Sequence, residues 1–228
     1  MDEQSYEAGL DKIDRRLTDI QEELKASTIP ADSWAVISDI LRNESVVASY
    51  IHGADETFAA LTATTSKASR ILRVTRLAPR SIATTNVSYM NAVYRSVKDP
   101  DINNKPHVRE YLRLVAVNNH DKKKDVVETI LRCYGAPMDI YLTLAEYGFE
   151  MLLADSSEAY IMFSDEKEQI SSALYLRGGD LVIELEKVFD SMLHRQIIDV
   201  INCSEINESN LSSFLRRIDV AWGDAISS

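Results

Sequence analysis

The chain has 228 residues, 45% of them hydrophobic, enough to fill one sizeable core or two small ones. It opens Met-Asp-Glu-Gln instead of with a basic and then apolar leader, and its apolar runs fall well short of about 18 residues, so neither a secretion signal nor a membrane span is expected. Cys133 and Cys203 stand apart from any Cys-x-x-Cys or Cys/His cluster, which argues against a disulfide scaffold and a zinc site and favours a reducing compartment.

Seven glycines and five prolines are few, which argues against many short strands joined by tight turns. The expected fold class is all-α: a single helical core domain with an N-terminal helical arm and a C-terminal extension. In chain order, Leu10, Ile13, Leu17, Ile20 and Leu24 form a heptad seam that ends at Ala26-Ser-Thr-Ile-Pro30. Three heptads need a partner, either the body of the same chain or a neighbouring subunit. Trp34, Ile37, Ile40 and Leu41 mark a second helical face, and Val46 to Ile51 a third before Gly53. Further helices are expected over about Val87 to Val97, Pro106 to Val117, Lys124 to Tyr134, Met138 to Ala154, Asp165 to Leu176, Asp180 to Ile201 and Asn207 to Trp222. Tyr160 to Phe163 and Leu181 to Ile183 read equally as short strands or buried helical turns. The expected divisions are an arm over 1–27, a core over 28–176 and a C-terminal helical region over 177–228.

Charge is distributed in three blocks within the net −11. Residues 1–60 carry net −8, residues 61–124 net +9, and residues 125–228 net −12. A basic middle between acidic ends fits an anion-binding surface, acidic ends that pair with another copy, or a domain whose charges neutralise one another internally. Lys67, Arg70, Arg73, Arg76 and Arg80 recur at spacings of 3, 3, 3 and 4. On a helix, like charges three apart repel by roughly 0.2–0.5 kcal/mol per pair, so the run favours an anionic partner such as a phosphate backbone.

Asp99, Asp101, Asn103 and Glu110 match positions of a calcium loop, but Asn104 replaces the turn glycine and Pro106 removes an N–H; a polar turn is the better reading. The four histidines are scattered, and no nucleophile elbow, phosphate-cradling glycine loop or Cys/His pair is present. The residues therefore point to no enzyme, no metal, no cofactor and no small-molecule substrate.

Three regions resemble the coat proteins of flexuous filamentous plant viruses, the potexvirus-like and potyvirus-like group. Asn104-Lys-Pro-His-Val-Arg-Glu-Tyr111 is similar to a segment in which a Pro or Thr precedes an Arg-Gln pair at a helix start. Leu144-Ala-Glu-Tyr-Gly-Phe-Glu150 is similar to a Leu-Ala-x-Tyr-Ala-Phe-Asp element. Thr28-Ile-Pro-Ala-Asp32 and Thr65-Ser-Lys-Ala-Ser-Arg-Ile-Leu72 are similar to a helix start and a Ser-Lys segment. The resemblance implies an all-α capsid protein that polymerises helically around single-stranded RNA, located in the virion and host cytoplasm. It places the roles of a Ser, an Arg and an Asp in the RNA pocket on Ser66, Arg109 and, with one extra methylene, Glu150.

On a helix from Pro106, Arg109 and Arg113 would flank the buried stripe, and Glu150, among apolar neighbours, would require a partner. The expected RNA-binding set is Ser66, Lys67, Arg70, Arg73, Arg76, Arg109, Arg113 and Glu150, with Glu150 orienting Arg109. Leu10, Ile13, Leu17, Ile20 and Leu24 are the expected oligomer contact. The rival expectation is a cytoplasmic all-α adaptor that binds a protein through its N-terminal coiled-coil helix.

Overall fold

The computed structural model describes residues 47–77, 86–98, 108–117, 120–145, 149–164 and 170–226. One mixed sheet of eight strands is flanked by five helices: β1 (Val47–His52), α1 (Ala54–Lys67), β2 (Ile71–Arg76), α2 (Val87–Lys98), β3 (Glu110–Ala116), α3 (His120–Cys133), β4 (Met138–Thr143), β5 (Glu150–Ala154), β6 (Glu158–Ser164), β7 (Ile170–Arg177), α4 (Gly179–Leu193), β8 (Ile197–Asn202) and α5 (Leu211–Ile226). Across the sheet the order is β1-β7-β6-β5-β2-β3-β4-β8. Strands β2, β3 and β4 are parallel neighbours, and the remaining adjacent pairs are antiparallel.

The fold is therefore α/β, which corrects the all-α expectation. The coat-protein reading falls with it, because that family implies a purely helical subunit. Strand β2 takes Ile71–Arg76 of the basic run, whose Arg80 lies outside the described residues; β3 lies within the helix expected over Pro106 to Val117, and β4 and β5 replace the one expected over Met138 to Ala154. Strand β7 replaces most of the expected 165–176 helix, and the 180–201 helix resolves into α4 and β8. Tyr160 to Phe163 lie in β6 and Leu181 to Ile183 in α4, while the helices expected near 87–97, 124–134 and 207–222 overlap α2, α3 and α5. The heptad arm and the Asp99 to Asn104 segment lie outside the described residues.

Burial on both faces of the sheet accounts for the difference. Leu72, Val74, Tyr111, Val115 and Leu152 face α1, α2, α3 and α5, whose Leu61, Val93, Ile130 and Trp222 complete one core. Leu112, Leu114, Met151, Leu153 and Ile161 face α4, whose Leu181, Leu185, Phe189 and Met192 complete the other. Strands covered on both sides read as continuous apolar runs without period-two alternation, and short runs of this kind match a buried helix equally well. Glycine and proline are scarce because helices, not tight turns, make several of the connections. Two glycines still serve as one-residue strand-to-helix links: Gly53 at φ +88° and Gly178 at φ +151°, backbone that side chains oppose. Among the described residues, no helix is long and apolar enough to cross a membrane, and no cluster of three potential metal ligands is found.

The start of β2 is fixed by Asp155 in the β5–β6 turn. Its carboxylate accepts the backbone N–H groups of Ser69 (2.9 Å), Arg70 (2.8 Å) and Ile71 (3.0 Å). Burial pushes this carboxyl up, but the N–H groups of Ile71, Ser69 and Arg70 together pull it below the ordinary carboxylate range. A depressed folded-state value means that the contribution is present above the unfolded value of 3.8 and is lost as pH falls through the folded value. Asp155→Asn tolerates the observed φ of +53° but loses the charge. The substitution is expected to lower stability by about 1.5–3 kcal/mol at neutral pH. In urea unfolding, the gap between wild type and variant should narrow as pH drops below about 4.

Candidate functional site

The parallel strands present two different ends. At the carboxyl end, Arg76 closes β2 and Glu150 opens β5; the antiparallel register that pairs Val74 with Leu152 brings them together. They form an ion pair of 2.8 Å, at 2% and 1% exposure. On the same sheet face Arg113 of β3, opposite Val74, pairs with Asp125 of α3 and donates to Thr129 one turn further on at 2.6 Å. Tyr89 Oη lies 3.5 Å from the Arg76 guanidinium. Burial opposes the charge on Arg76, but Glu150 first, then Tyr89, Tyr111 and Asp125, raise its proton affinity above that of a free arginine.

Arg76 therefore keeps its charge in the core, and Arg113 is likewise buried. They are held by carboxylates of the same chain. The expected Arg109–Glu150 pair is corrected: Arg109 lies beside Arg70, before β2, whereas Glu150 lies beside Arg76 at its far end. Six residues of strand separate the two, roughly 20 Å. On the opposite sheet face Arg73 pairs with Glu186 of α4 and approaches Asp190 at 3.8 Å, so it too is internally matched.

The amino end is built differently. Ser66 and Lys67 end α1, Arg70 lies in the three-residue link to β2, and Arg109 precedes β3; all four are exposed. The N–H of Arg109 donates to the Arg70 carbonyl at 2.8 Å, fixing the two residues side by side on adjacent strands. The N–H of Val108 donates to the Ser96 carbonyl at 3.2 Å, bringing the last turn of α2, with Arg95 and Lys98, onto the same edge. Lys98 Nζ sits 4.3 Å from the ring centre of Tyr134, just past α3, and Arg132 of α3 sits 4.9 Å from that of Tyr94 in α2. Each helix ends here with cations in its last turn, where they complement the negative end of the helix dipole.

Lys67, Arg70, Arg95, Lys98, Arg109 and Arg132 thus share an edge with Glu110, Glu128 and Asp155. Asp155 is occupied by backbone N–H groups, and Glu128 by Arg132 at 2.7 Å. Glu158, which accepts from Thr64 of α1 at 2.7 Å, and Asp139 at the start of β4, near Glu205, lie at the same ends of their strands, so cations and carboxylates are interspersed there. The thiols of Cys133 and Cys203 are buried, and burial pushes them up to about 11 and about 12, so neither is a thiolate at neutral pH.

Of the expected residues, the structure gathers Ser66, Lys67, Arg70 and Arg109 on this edge and separates them from Arg73, Arg76, Arg113 and Glu150. Arg95, Lys98, Arg132, Tyr94 and Tyr134 escaped the sequence reading. Their signal was present as cations in the last turns of two expected helices.

No family model matches the chain, and no curated protein matches it in sequence. Among solved structures it is similar to TrmBL2, an archaeal chromatin protein described as having a novel mode of DNA binding, at 11% identity and TM-score 0.43, over 83% of this chain and 65% of that one. It is similar to NucT from Helicobacter pylori at 12% identity and TM-score 0.47, over 67% and 99%. A phosphatidylserine synthase of Haemophilus influenzae Rd KW20 matches at 8% identity and TM-score 0.47, over 80% and 47%. These likenesses are distant and concern the arrangement of strands and helices only.

The two ends respond differently to substitution. Glu150→Ala leaves Arg76 charged in the core and is expected to cost about 3–5 kcal/mol, whereas the double variant Arg76→Met/Glu150→Leu removes both charges and should recover most of that loss. Denaturant unfolding of the single and double variants measures the difference.

Proposed function

We propose that the chain is a non-catalytic α/β module that binds the phosphate backbone of a nucleic acid along the amino-terminal edge of its parallel strands. The observation that carries this reading is the pair Arg70 and Arg109, exposed and locked side by side through the backbone, with Lys67 beside them. Helix-dipole compensation accounts for Lys67, Arg95, Lys98 and Arg132; of the two cations outside helices, Arg70 donates through Nη2 to the Asp155 carbonyl at 2.9 Å while remaining exposed, and Arg109 is exposed beside it. Their side-by-side placement matches a chain of phosphates, which arginine binds through a planar fork of donors.

The strong net negative charge limits the contact. Outside this edge the protein repels a polyanion, so binding is confined to a few phosphates and weakens steeply with salt. With about three phosphates engaged on a single strand, log K is expected to fall with log salt at a slope of about −2. Charge reversal of Arg70 and Arg109 to Glu should weaken binding of a labelled oligonucleotide by at least about tenfold and reduce the slope by about 1.4. Fluorescence anisotropy over a salt series measures both effects, with circular dichroism to establish that the variant is folded. Unchanged affinity would remove this edge from the account.

A further inference from the structure

Resting on that reading, we infer that the edge takes an unpaired strand in preference to a duplex, with Tyr94 and Tyr134 as stacking platforms for its bases. The two tyrosines belong to a reciprocal arrangement: α2 provides Tyr94 and the Lys98 that covers Tyr134, while α3 provides the Arg132 that covers Tyr94 and leads directly into Tyr134. Both rings pack against the core on one side and remain only half-buried. They adjoin the phosphate-binding arginines through the Val108–Ser96 hydrogen bond. A single strand whose phosphates lie on Arg70 and Arg109 therefore meets aromatic surface at the next elements along the edge. Bases stack on such surfaces with little sequence preference, because every base presents a π-face.

A duplex fits this edge poorly. Its bases are reached by an element entering a groove, whereas this edge is made of helix ends and strand starts. Glu110 and Glu128 lie among the cations, so a second phosphate strand meets carboxylates as well as guanidinium groups. The ring contacts also supply a mechanism of exchange. A base that displaces Lys98 from Tyr134 frees that cation for the neighbouring phosphate, exchanging one cation–π contact for a stack and an ion pair, whereas Arg132 stays tied to Glu128.

The test compares a labelled oligothymidylate of about twenty nucleotides with a duplex of equal length, using full-length wild-type protein and the double variant Tyr94→Leu/Tyr134→Leu. Leucine keeps apolar packing beneath both positions, and thermal unfolding establishes that the variant is folded. The wild type is expected to prefer the single strand by about tenfold, and the variant to lose about fivefold to tenfold on the single strand with its salt slope unchanged. Tyrosine fluorescence should be quenched when the single strand binds. Equal affinity for the two forms, or an undiminished variant, would overturn stacking while leaving the phosphate edge intact, provided charge reversal of Arg70 and Arg109 still weakens binding. Absence of binding to either form would overturn both.

Discussion

A cation placed on a sheet that is covered on both faces must be matched where it stands, because water cannot reach it. Arg76 and Arg113 are subject to this constraint in full, and Arg73, on the other face, in part. Arg73 is met by Glu186 of α4, Arg76 by Glu150 of β5, and Arg113 by Asp125 of α3. Each match links a parallel strand to a different neighbour, so the pairs tie the centre of the sheet to both helical layers and to its antiparallel half. Such pairs contribute little net stability compared with a well-packed apolar substitute, but breaking one is costly. Matching these arginines internally also determines which cations remain available to a partner.

Several of those that remain share one end of the molecule for a topological reason. Strand, helix and parallel strand succeed one another from β2 to β4, so the helices run against the strands, and helix ends meet strand starts on a single edge. Cations that complement the helix dipoles therefore gather beside Arg70 and Arg109. The other end holds the buried ion pairs. The two ends divide the basic middle of the sequence between support of the sheet and exposure to solvent, which is why block charge alone could not locate a surface.

Some of this organisation was legible in the residues. The charge blocks singled out the segment that contains the exposed cations, and amphipathic periodicity found the positions of α2, α3 and α5, helices with one face in the core. Glu150 was correctly read as a carboxylate needing a partner, but the partner was misidentified. Arg109 was placed on a helix with Arg113, whereas strand geometry puts Arg113 in the core and leaves Arg109 beside Arg70. The i+3 spacing of Arg70, Arg73 and Arg76 reads as a helical stripe. In an extended chain, residues three apart point to opposite faces, which sends Arg73 towards α4 and Arg76 towards Glu150.

By itself the sequence determined the inventory: a core-forming chain, a basic middle third, and cations at the ends of two amphipathic helices. These are local or compositional properties, which survive without knowledge of what packs against what. Tertiary structure decided whether Tyr111 to Ala116 or Met151 to Ala154 is strand or helix, because a fully buried segment has no solvent-facing side to reveal its period. It also decided which arginines are neutralised and which are exposed, since an ion pair depends on a neighbour many residues away in the chain, supplied only when the sheet assembles.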